Sequence, residues 1–589
     1  MLRLDHFLPR WRAKLGKKKS WARRMLGRLG KTVEFAPVRR AIQTAAFLVF
    51  LALVFWVSWP YDARPDPSRT GWPSHYADNL ATKEFLPVEG YLAIDPLVAL
   101  STAVAARTWV WSLASAAGIL ILCMLVPRGF CGYLCPLGTM IDMFDWAVGR
   151  RVKRFKIENV GHWRHLRYLI LAATIAAAFA GVMLAGVVAA IPIITRGMSF
   201  AVDPLVHATA SGWHAVPPPN WGHLVSLTLF GGVLALGLLS PRFWCKYVCP
   251  SGAVFSVANS WRVVERKVSK ACIGCNQCVE ACPFDAINTD WSTRVDACTL
   301  CQTCAGACPT QAITFVGRTA VIDLKPPEPE ALQPQVSRRA LLTAGLTGAM
   351  SAVGVRSASA ANDVEPVLRP PGSVPEPQFL QQCIRCDACL KVCPNDVLQP
   401  LGFERGLNGL WTPALKPDWA GCDPSCNACG QACPTGAIRA LPLEEKRHAR
   451  IGLAAVDTVT CLPWAGSEAC QLCVDECRAA GYDAIEFQQV HTEMGPDGNP
   501  IDGTGFIAPV VVDSKCVGCG LCQTRCNVIN VNDRGVLSVS AIVITAGEGR
   551  EDRLTTGSYK ALREAEAAEQ AIRKSEQQRA AEKQLGDFY

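Results

Sequence analysis

Twenty-four of the 29 cysteines in this chain fall into six groups of four, and no other feature limits its fold so severely. The first group is Cys272, Cys275, Cys278 and Cys282 in CIGCNQCVEACP, and the second is Cys298, Cys301, Cys304 and Cys308 in CTLCQTCAGACP. Both follow the C-x2-C-x2-C-x3-C-P spacing that wraps a cubane iron–sulfur cluster. CIRCDACLKVCP supplies a third set, Cys383, Cys386, Cys389 and Cys393. Three variants follow: Cys422, Cys426, Cys429 and Cys433; Cys461, Cys470, Cys473 and Cys477; and Cys516, Cys519, Cys522 and Cys526. Each iron of a cubane needs a terminal thiolate. Three closely spaced cysteines supply three of them from one tight loop, and a proline after the fourth suits the first turn of a helix. In two-cluster modules that fourth thiolate serves the neighbouring cluster. Cys308 is therefore expected to complete the set of Cys272, Cys275 and Cys278, and Cys282 that of Cys298, Cys301 and Cys304, while the pairing within 383–526 stays open. Zinc favours two separated C-x2-C pairs, and disulfides give no reason for a repeated spacing. The expectation is six [4Fe–4S] clusters, with a [3Fe–4S] centre at one site not excluded. AITFVG (312–317) and AIEFQQV (484–490) read as the short strands of ferredoxin βαβ folds.

Apolar stretches at about 41–59, 108–126, 168–194 and 221–240 are each long enough to cross a bilayer, which takes roughly 20 helical residues. Residues 1–40 carry thirteen Lys/Arg against two acids and residues 127–167 eight against three, whereas residues 60–93 carry three against five. By the positive-inside rule the N-terminus, the 127–167 loop and the chain after 240 face the cytoplasm. The basic N-terminus then reads as an orientation signal in contact with anionic lipid rather than as a nucleic-acid arm.

PRGFCGYLCPLG (127–138) and PRFWCKYVCPSG (241–252) align without a gap after the second and fourth apolar stretches. Each keeps Pro-Arg, an aromatic before the first cysteine, a central Tyr, Cys-Pro and a later Gly, which marks a duplicated unit. Cys131, Cys135, Cys245 and Cys249 are candidate redox or metal-binding thiols, with structural turns as the alternative. Cys123, alone within the second stretch, reads as a small core hydrophobe.

The expected fold is multidomain: an α-helical membrane bundle of four spans joined to α+β ferredoxin-like 4Fe–4S domains. A basic N-terminus (1–40) precedes the four-helix domain (41–258) and a two-cluster ferredoxin domain (259–320). A proline-rich linker and signal-like segment (321–361) leads to a four-cluster domain (362–550) and a charged helical tail (551–589). Residues 1–361 hold 38 Lys/Arg and 20 Asp/Glu, and residues 362–589 hold 21 and 30, so a basic half is joined to an acidic one. At the junction, Ser337-Arg338-Arg339, the apolar run Ala340–Val355 and Ala358-Ser359-Ala360 look like a twin-arginine signal with a peptidase site. If uncleaved, this segment is a fifth span. The alternative is an interfacial helix that tethers a cytoplasmic second half.

These residues resemble two families. The doubled CxxxCP loops, apolar stretches and two-cluster ferredoxin of residues 41 to about 320 are similar to NapH/MauN-type membrane ferredoxins. Residues from about 337 to 550 are similar to NapG/MauM-type four-cluster ferredoxins. The two halves cover roughly 85% of the chain and here share one polypeptide. The resemblance implies a membrane-bound electron-transfer protein of the inner membrane that oxidises quinol. It also implies a cytoplasmic two-cluster domain, a periplasmic four-cluster domain, and a periplasmic oxidoreductase or cytochrome as electron acceptor.

The alternative is an assembly, maturation or regulatory factor for a respiratory metalloenzyme, since CxxxCP ferredoxins also occur among such proteins. A third reading is a polyferredoxin wire feeding some other membrane complex. An assembly factor has little use for six clusters, and an export-like signal before four of them favours a conduit. His207, His214 and His223 are expected in or beside a periplasmic loop, as surface or interfacial residues. His162, His165, Arg164 and Arg167 are expected at lipid head groups. No glycine-rich nucleotide loop is present, which argues against NAD or flavin chemistry, and no catalytic residue is assigned.

Overall fold

The computed structural model describes residues 34–58, 90–149, 151–152, 163–325, 338–360, 366–493, 501 and 504–586. The basic residues 1–33, the acidic loop at 59–89, His162 and most of the proline-rich linker with Ser337 lie outside the described residues.

Five helices run between two ends of the molecule: α1 (Pro37–Ser58), α3 (Ser112–Leu125), α5 (Trp163–Phe179), α7 (Trp221–Ala235) and α9 (Arg338–Ala360). Among the described residues, two helical stretches, Pro37–Trp56 and Trp221–Leu238, are long and apolar enough to cross a membrane. Ser112–Leu125 and His165–Phe179 are apolar but shorter. A capping box, in which Asn220 and His223 each bond the other's backbone N–H, starts α7.

Residues 168–194 do not form the single expected span. Helix α5 stops at Phe179, and Gly181 turns the chain with φ 79°. The Gly181 N–H donates to Ala178 O and the Val182 N–H to Ala177 O, both at 2.9 Å, which closes the helix as a Schellman motif. The chain resumes at α6 (Ala190–Ser211), after Ala189 in extended conformation. A matching half-length helix that the sequence did not reveal, α2 (Pro96–Ala106), starts inside the core. Its cap, Asp95, is fully buried and accepts from the Leu97 N–H and the Ser251 hydroxyl, both at 3.0 Å. Helix ends inside an apolar core must have their freed backbone groups satisfied by the protein itself, as the Asp95 side chain does for α2.

The duplicated motif has one shape in both copies. A π-turn (Phe130–Leu134, Trp244–Val248) ends at a cysteine that caps a nine-residue helix with proline in its first turn, α4 (Pro136–Phe144) and α8 (Pro250–Ala258).

The two cysteine-rich modules sit on opposite ends of these helices. The first is closed by β1 (Val264–Val268) and β2 (Ile313–Gly317), antiparallel with Val264 opposite Gly317. It docks where α3 ends and α5 begins: Arg167 pairs with Asp296 at 2.6 Å, and Tyr133 Oη donates to Leu300 O at 2.9 Å. The second module contains three antiparallel pairs. They are β3 (Leu398–Pro400) with β4 (Pro413–Leu415), β5 (Leu453–Val456) with β8 (Ile542–Thr545), and β6 (Ile485–Val490) with β7 (Phe506–Val511). It docks where α5 ends and α7 begins. Arg385 donates to Met183 O, Arg196 to Arg385 O at 2.8 Å, and Trp411 Nε1 to Gly222 O at 2.8 Å. The expected strands at 312–317 and 484–490 are present, but each belongs to an antiparallel two-stranded pair rather than to a βαβ unit.

Between the two modules the helices turn apolar side chains outward, among them Leu48, Phe55, Ile121, Leu122, Leu224 and Leu346. Exposed tryptophans cluster at both ends: Trp109, Trp111, Trp213 and Trp221 toward the second module, and Trp146, Trp163 and Trp261 toward the first. Helix α9 lies along α5 through a stripe of small residues. Gly348 faces Ala173, and Ala352 (2% exposed) packs with Ala177 and Val182. The charged tail forms α10 (Tyr559–Gly586), anchored by fully buried Tyr559 against Leu441 and Ala449 of the second module.

Candidate iron–sulfur centres

The local backbone explains why each cysteine loop can close on a cluster. Non-glycine residues take left-handed conformations within the loops, including Asn276, Gln302, Arg385 and Asp387. These tight turns aim amide groups at sulfur: the Ala286 N–H lies 3.3 Å from Cys282 Sγ, Ala484 N–H 3.4 Å from Cys477 Sγ, and Ile438 N–H 3.5 Å from Cys433 Sγ. Such bonds stabilise negative charge on sulfur and help set cluster potential.

In the second module the cysteines are regrouped relative to their order in the chain. One cavity is lined by Cys383, Cys386, Cys389 and Cys433. A second is lined by Cys393, Cys422, Cys426 and Cys429, with Lys446 at its wall. A third is lined by Cys461, Cys470, Cys473 and Cys526. The remaining four, Cys477, Cys516, Cys519 and Cys522, lie within electrostatic reach of one another. The last cysteine of each run has thus crossed to its neighbour's set, twice over. In the first module, Cys278 lies close to Cys272 and Cys308, and Cys282 close to Cys301 and Cys304, the crossing expected from the sequence.

These cavities fit iron–sulfur clusters. None of the cysteines is joined in a disulfide. Burial pushes Cys473 and Cys519 up to about 12, with neighbouring thiols adding to the shift, so such sites ionise only when a cationic core compensates them. A tetrahedral zinc about 2.3 Å from each sulfur would hold the sulfurs roughly 3.8 Å apart. Among the described residues, the one group of three or more candidate ligands with all ligand atoms within 4.8 Å contains no cysteine.

That group is Asp203, His207 and Asp396, and it corrects the expectation of a surface histidine. His207 is buried at the junction of α6 with the second module, 3.1 Å from Asp396 and 3.5 Å from Asp203. Lys391 pairs with Asp203 at 2.7 Å and already supplies a cation there. His214 is exposed, His223 belongs to the α7 cap, and Arg167 is buried against Asp296 rather than turned to lipid head groups. Cys123 is buried in the helical core, as a small hydrophobe would be.

The four thiols of the duplicated motif also converge. Cys135 feels Cys131 and Cys245, and Cys249 feels Cys245, Cys131 and Cys135.

Comparison with known proteins agrees with this arrangement. A 4Fe-4S binding domain model matches residues 108–155 and again 223–269, and a second model with the same description matches residues 267–288. The chain is 36% identical over 166 residues to the methylamine utilization ferredoxin-type protein MauM of Methylophilus methylotrophus, covering 27% of this chain and 66% of that protein. Identity to MauM of Paracoccus denitrificans is 35% over 191 residues, 32% of this chain and 78% of that protein. Identity to the ferredoxin-type protein NapG of Escherichia coli K12 is 30% over 230 residues, 37% of this chain and 90% of NapG. This chain belongs to the MauM/NapG ferredoxin-type family. The matched 4Fe-4S binding domains and the ferredoxin-type relatives make it a ferredoxin-type iron–sulfur protein. Of the Methylophilus MauM, the match spans just under two thirds of the length. No solved structure matches the chain.

Proposed function

We propose that this chain is a membrane-embedded conduit that oxidises quinol and passes the electrons through six [4Fe–4S] clusters to a redox enzyme beyond its second module. The observation that carries this reading is the placement of two cysteine-rich modules at opposite ends of one helical core. Outward apolar side chains between two sets of exposed tryptophans are what a lipid-facing belt requires. The start of α1, where Phe35 abuts Gly306, and the start of α5, where Arg167 meets Asp296, lie at the first module's end, and the basic balance of the sequence at 1–40 and 127–167 assigns that end to the cytoplasm by the positive-inside rule. The four-cluster module then lies in the periplasm, with α9 as a fifth span.

Iron–sulfur clusters supply one-electron exchange without making or breaking substrate bonds. The chain's own residues would hold them and set their surroundings. The ligand sets would be Cys272, Cys275, Cys278 and Cys308; Cys282, Cys298, Cys301 and Cys304; and the four groupings of the second module described above. Lys446, buried beside Cys422 and Cys426, favours the reduced state of its cluster. Arg385, between Cys383 and Cys386, ties one cysteine loop to the carbonyl at the end of the third spanning segment.

The test is to mix anaerobically purified, detergent-solubilised protein with a reduced quinone analogue and follow the broad visible absorbance of the clusters. Bleaching is expected. Absence of bleaching, in protein whose clusters dithionite still reduces, overturns quinol oxidation and favours an assembly role.

A further inference from the structure

The two copies of the PRxxCxYxCPxG motif interlock in a way neither copy could achieve alone. Arg128, from the first, lays its guanidinium over Gly252 of the second, with Nη2 3.0 Å from where a Cβ would stand. Arg242, from the second, lies over Gly138 of the first, with Nη1 3.5 Å from the corresponding point. This exchange accounts for the arginine and the glycine that both copies keep: the glycine leaves room for the other copy's arginine. Both arginines are 1% exposed and both take left-handed backbone, with φ 48° and 55°.

Their charges are not equally matched. Arg242 is paired with Asp142 at 2.7 Å. Arg128 donates only to carbonyls, those of Asp296 at 3.2 Å and of Ala297 and Cys245 at 3.5 Å, and among the described residues no carboxylate oxygen lies within 4.0 Å of it. Arg128 Nε and Arg242 Nη1 have no hydrogen-bond partner. The Asp296 carboxylate acts on Arg128 only from beyond pairing distance and is itself held by Arg167, and a buried guanidinium so weakly matched is costly, so the site calls for further negative charge. Two nine-residue helices add to that demand. Cys135 and Cys249 stand at the N-termini of α4 and α8, where unbonded amides favour an anion, and the Gly252 N–H donates to Cys249 Sγ at 3.3 Å.

We propose that Cys131, Cys135, Cys245 and Cys249 hold a seventh [4Fe–4S] cluster, two thiolates from each copy, inside the helical core. A cubane with four thiolates carries the net negative charge that Arg128 and the two helix ends require. No three of these sulfurs lie within the 4.8 Å that a single metal ion would need, and none is in a disulfide. The segments matched by the 4Fe-4S domain model contribute two motif cysteines each, so only their union reaches four ligands. The site adjoins the first module, since Gly132 abuts Thr299 and Tyr133 bonds Leu300, next to Cys298 and Cys301. It shares one hydrophobic cluster with Ile384 and Cys386 of the second module. A cluster held there would supply one-electron exchange beside the first module, with no proton or bond exchanged, and the apolar core that links it to Ile384 and Cys386 continues toward the second module.

This inference shares the conduit reading but is tested separately from it, on iron rather than on quinol. Full-length protein purified anaerobically should contain about 28 irons and 28 acid-labile sulfides, seven clusters of four. The variant with Cys131, Cys135, Cys245 and Cys249 all changed to Ser should lose four of each, together with one EPR component. Equal iron and equal spectra in the two proteins overturn the proposal. Should the fourfold variant lose all its iron through misfolding, Arg128→Gln decides. It removes a buried cation but no thiol, so iron should stay constant while one EPR component alone moves to lower potential. A redox titration of Arg128→Gln that superimposes on the wild type overturns the seventh cluster.

Discussion

The seam between α5 and α9 invites a decisive perturbation at Gly348. A Cβ built there would stand 2.5 Å from Ala173 O and 2.6 Å from Ala173 Cα. Carbon atoms rest in contact at about 3.5–4.0 Å, so even alanine forces the helices apart by roughly 1 Å, and isoleucine by more. Both clashing atoms are helix backbone and cannot swing aside. Overpacking of this kind costs about 1–3 kcal/mol. At about 2 kcal/mol, the affinity of α9 for the bundle falls roughly thirtyfold. The assay starts with a protease site placed in the linker at 326–335, cleaved in mild detergent, followed by co-elution of the two fragments on a temperature ramp. Gly348→Ile should release the second fragment several degrees below the wild type. Gly345→Ile, at a glycine of the same helix with nothing within 4 Å of its Cβ position, is the control and should behave as wild type. Equal release temperatures for Gly348→Ile and wild type would refute the close packing of these helices.

Three further expectations follow from the cysteine grouping and the orientation. Cys308→Ser should disturb the EPR signal of the cluster on Cys272, Cys275 and Cys278, and Cys433→Ser that of the cluster on Cys383, Cys386 and Cys389; a disturbance of the sequence-adjacent cluster instead would reverse the crossed ligation. Lys446→Met removes one buried positive charge beside Cys422 and Cys426, and a redox titration should show that cluster alone at lower potential. The shift should be tens of millivolts, since one charge at this range is worth on the order of 1–2 kcal/mol. Protease added to intact spheroplasts should digest 362–589 and spare 272–308; protection of both would place every cluster in the cytoplasm.

Much of this architecture was legible because thiolate ligation leaves a local signature. The Cys272–Cys308 spacing alone implied both loops and their crossing. The second module was harder. In CDPSCNACGQACP and in the eight-residue gap between Cys461 and Cys470 the spacing departs from the regular run, so only the fold shows that Cys433 and Cys526 cross over. The helical core hid two features for a different reason. Hydropathy averages over a window and cannot register that Asp95-Pro96 and Ala189 interrupt the backbone inside an apolar run. The signals were there in Pro96, in Pro192 and in Gly181, the last at a left-handed position that most residues avoid. His207 was misjudged because its partner Asp396, and the Lys391 that pairs with neighbouring Asp203, lie about 190 residues away.

The parallel course of α9 along α5 has a consequence for biogenesis. The first four long helices can fold together before α9 arrives, leaving a narrow furrow floored by Ala173 and Ala177. On the proposed membrane reading, insertion of the bundle and delivery of a module already loaded with its metal centres would be separable events in time, and the furrow would be the berth at which the second ends. The fusion is a matter of stoichiometry rather than of architecture. A cell making residues 1–325 and 338–589 as two polypeptides should still assemble the whole molecule.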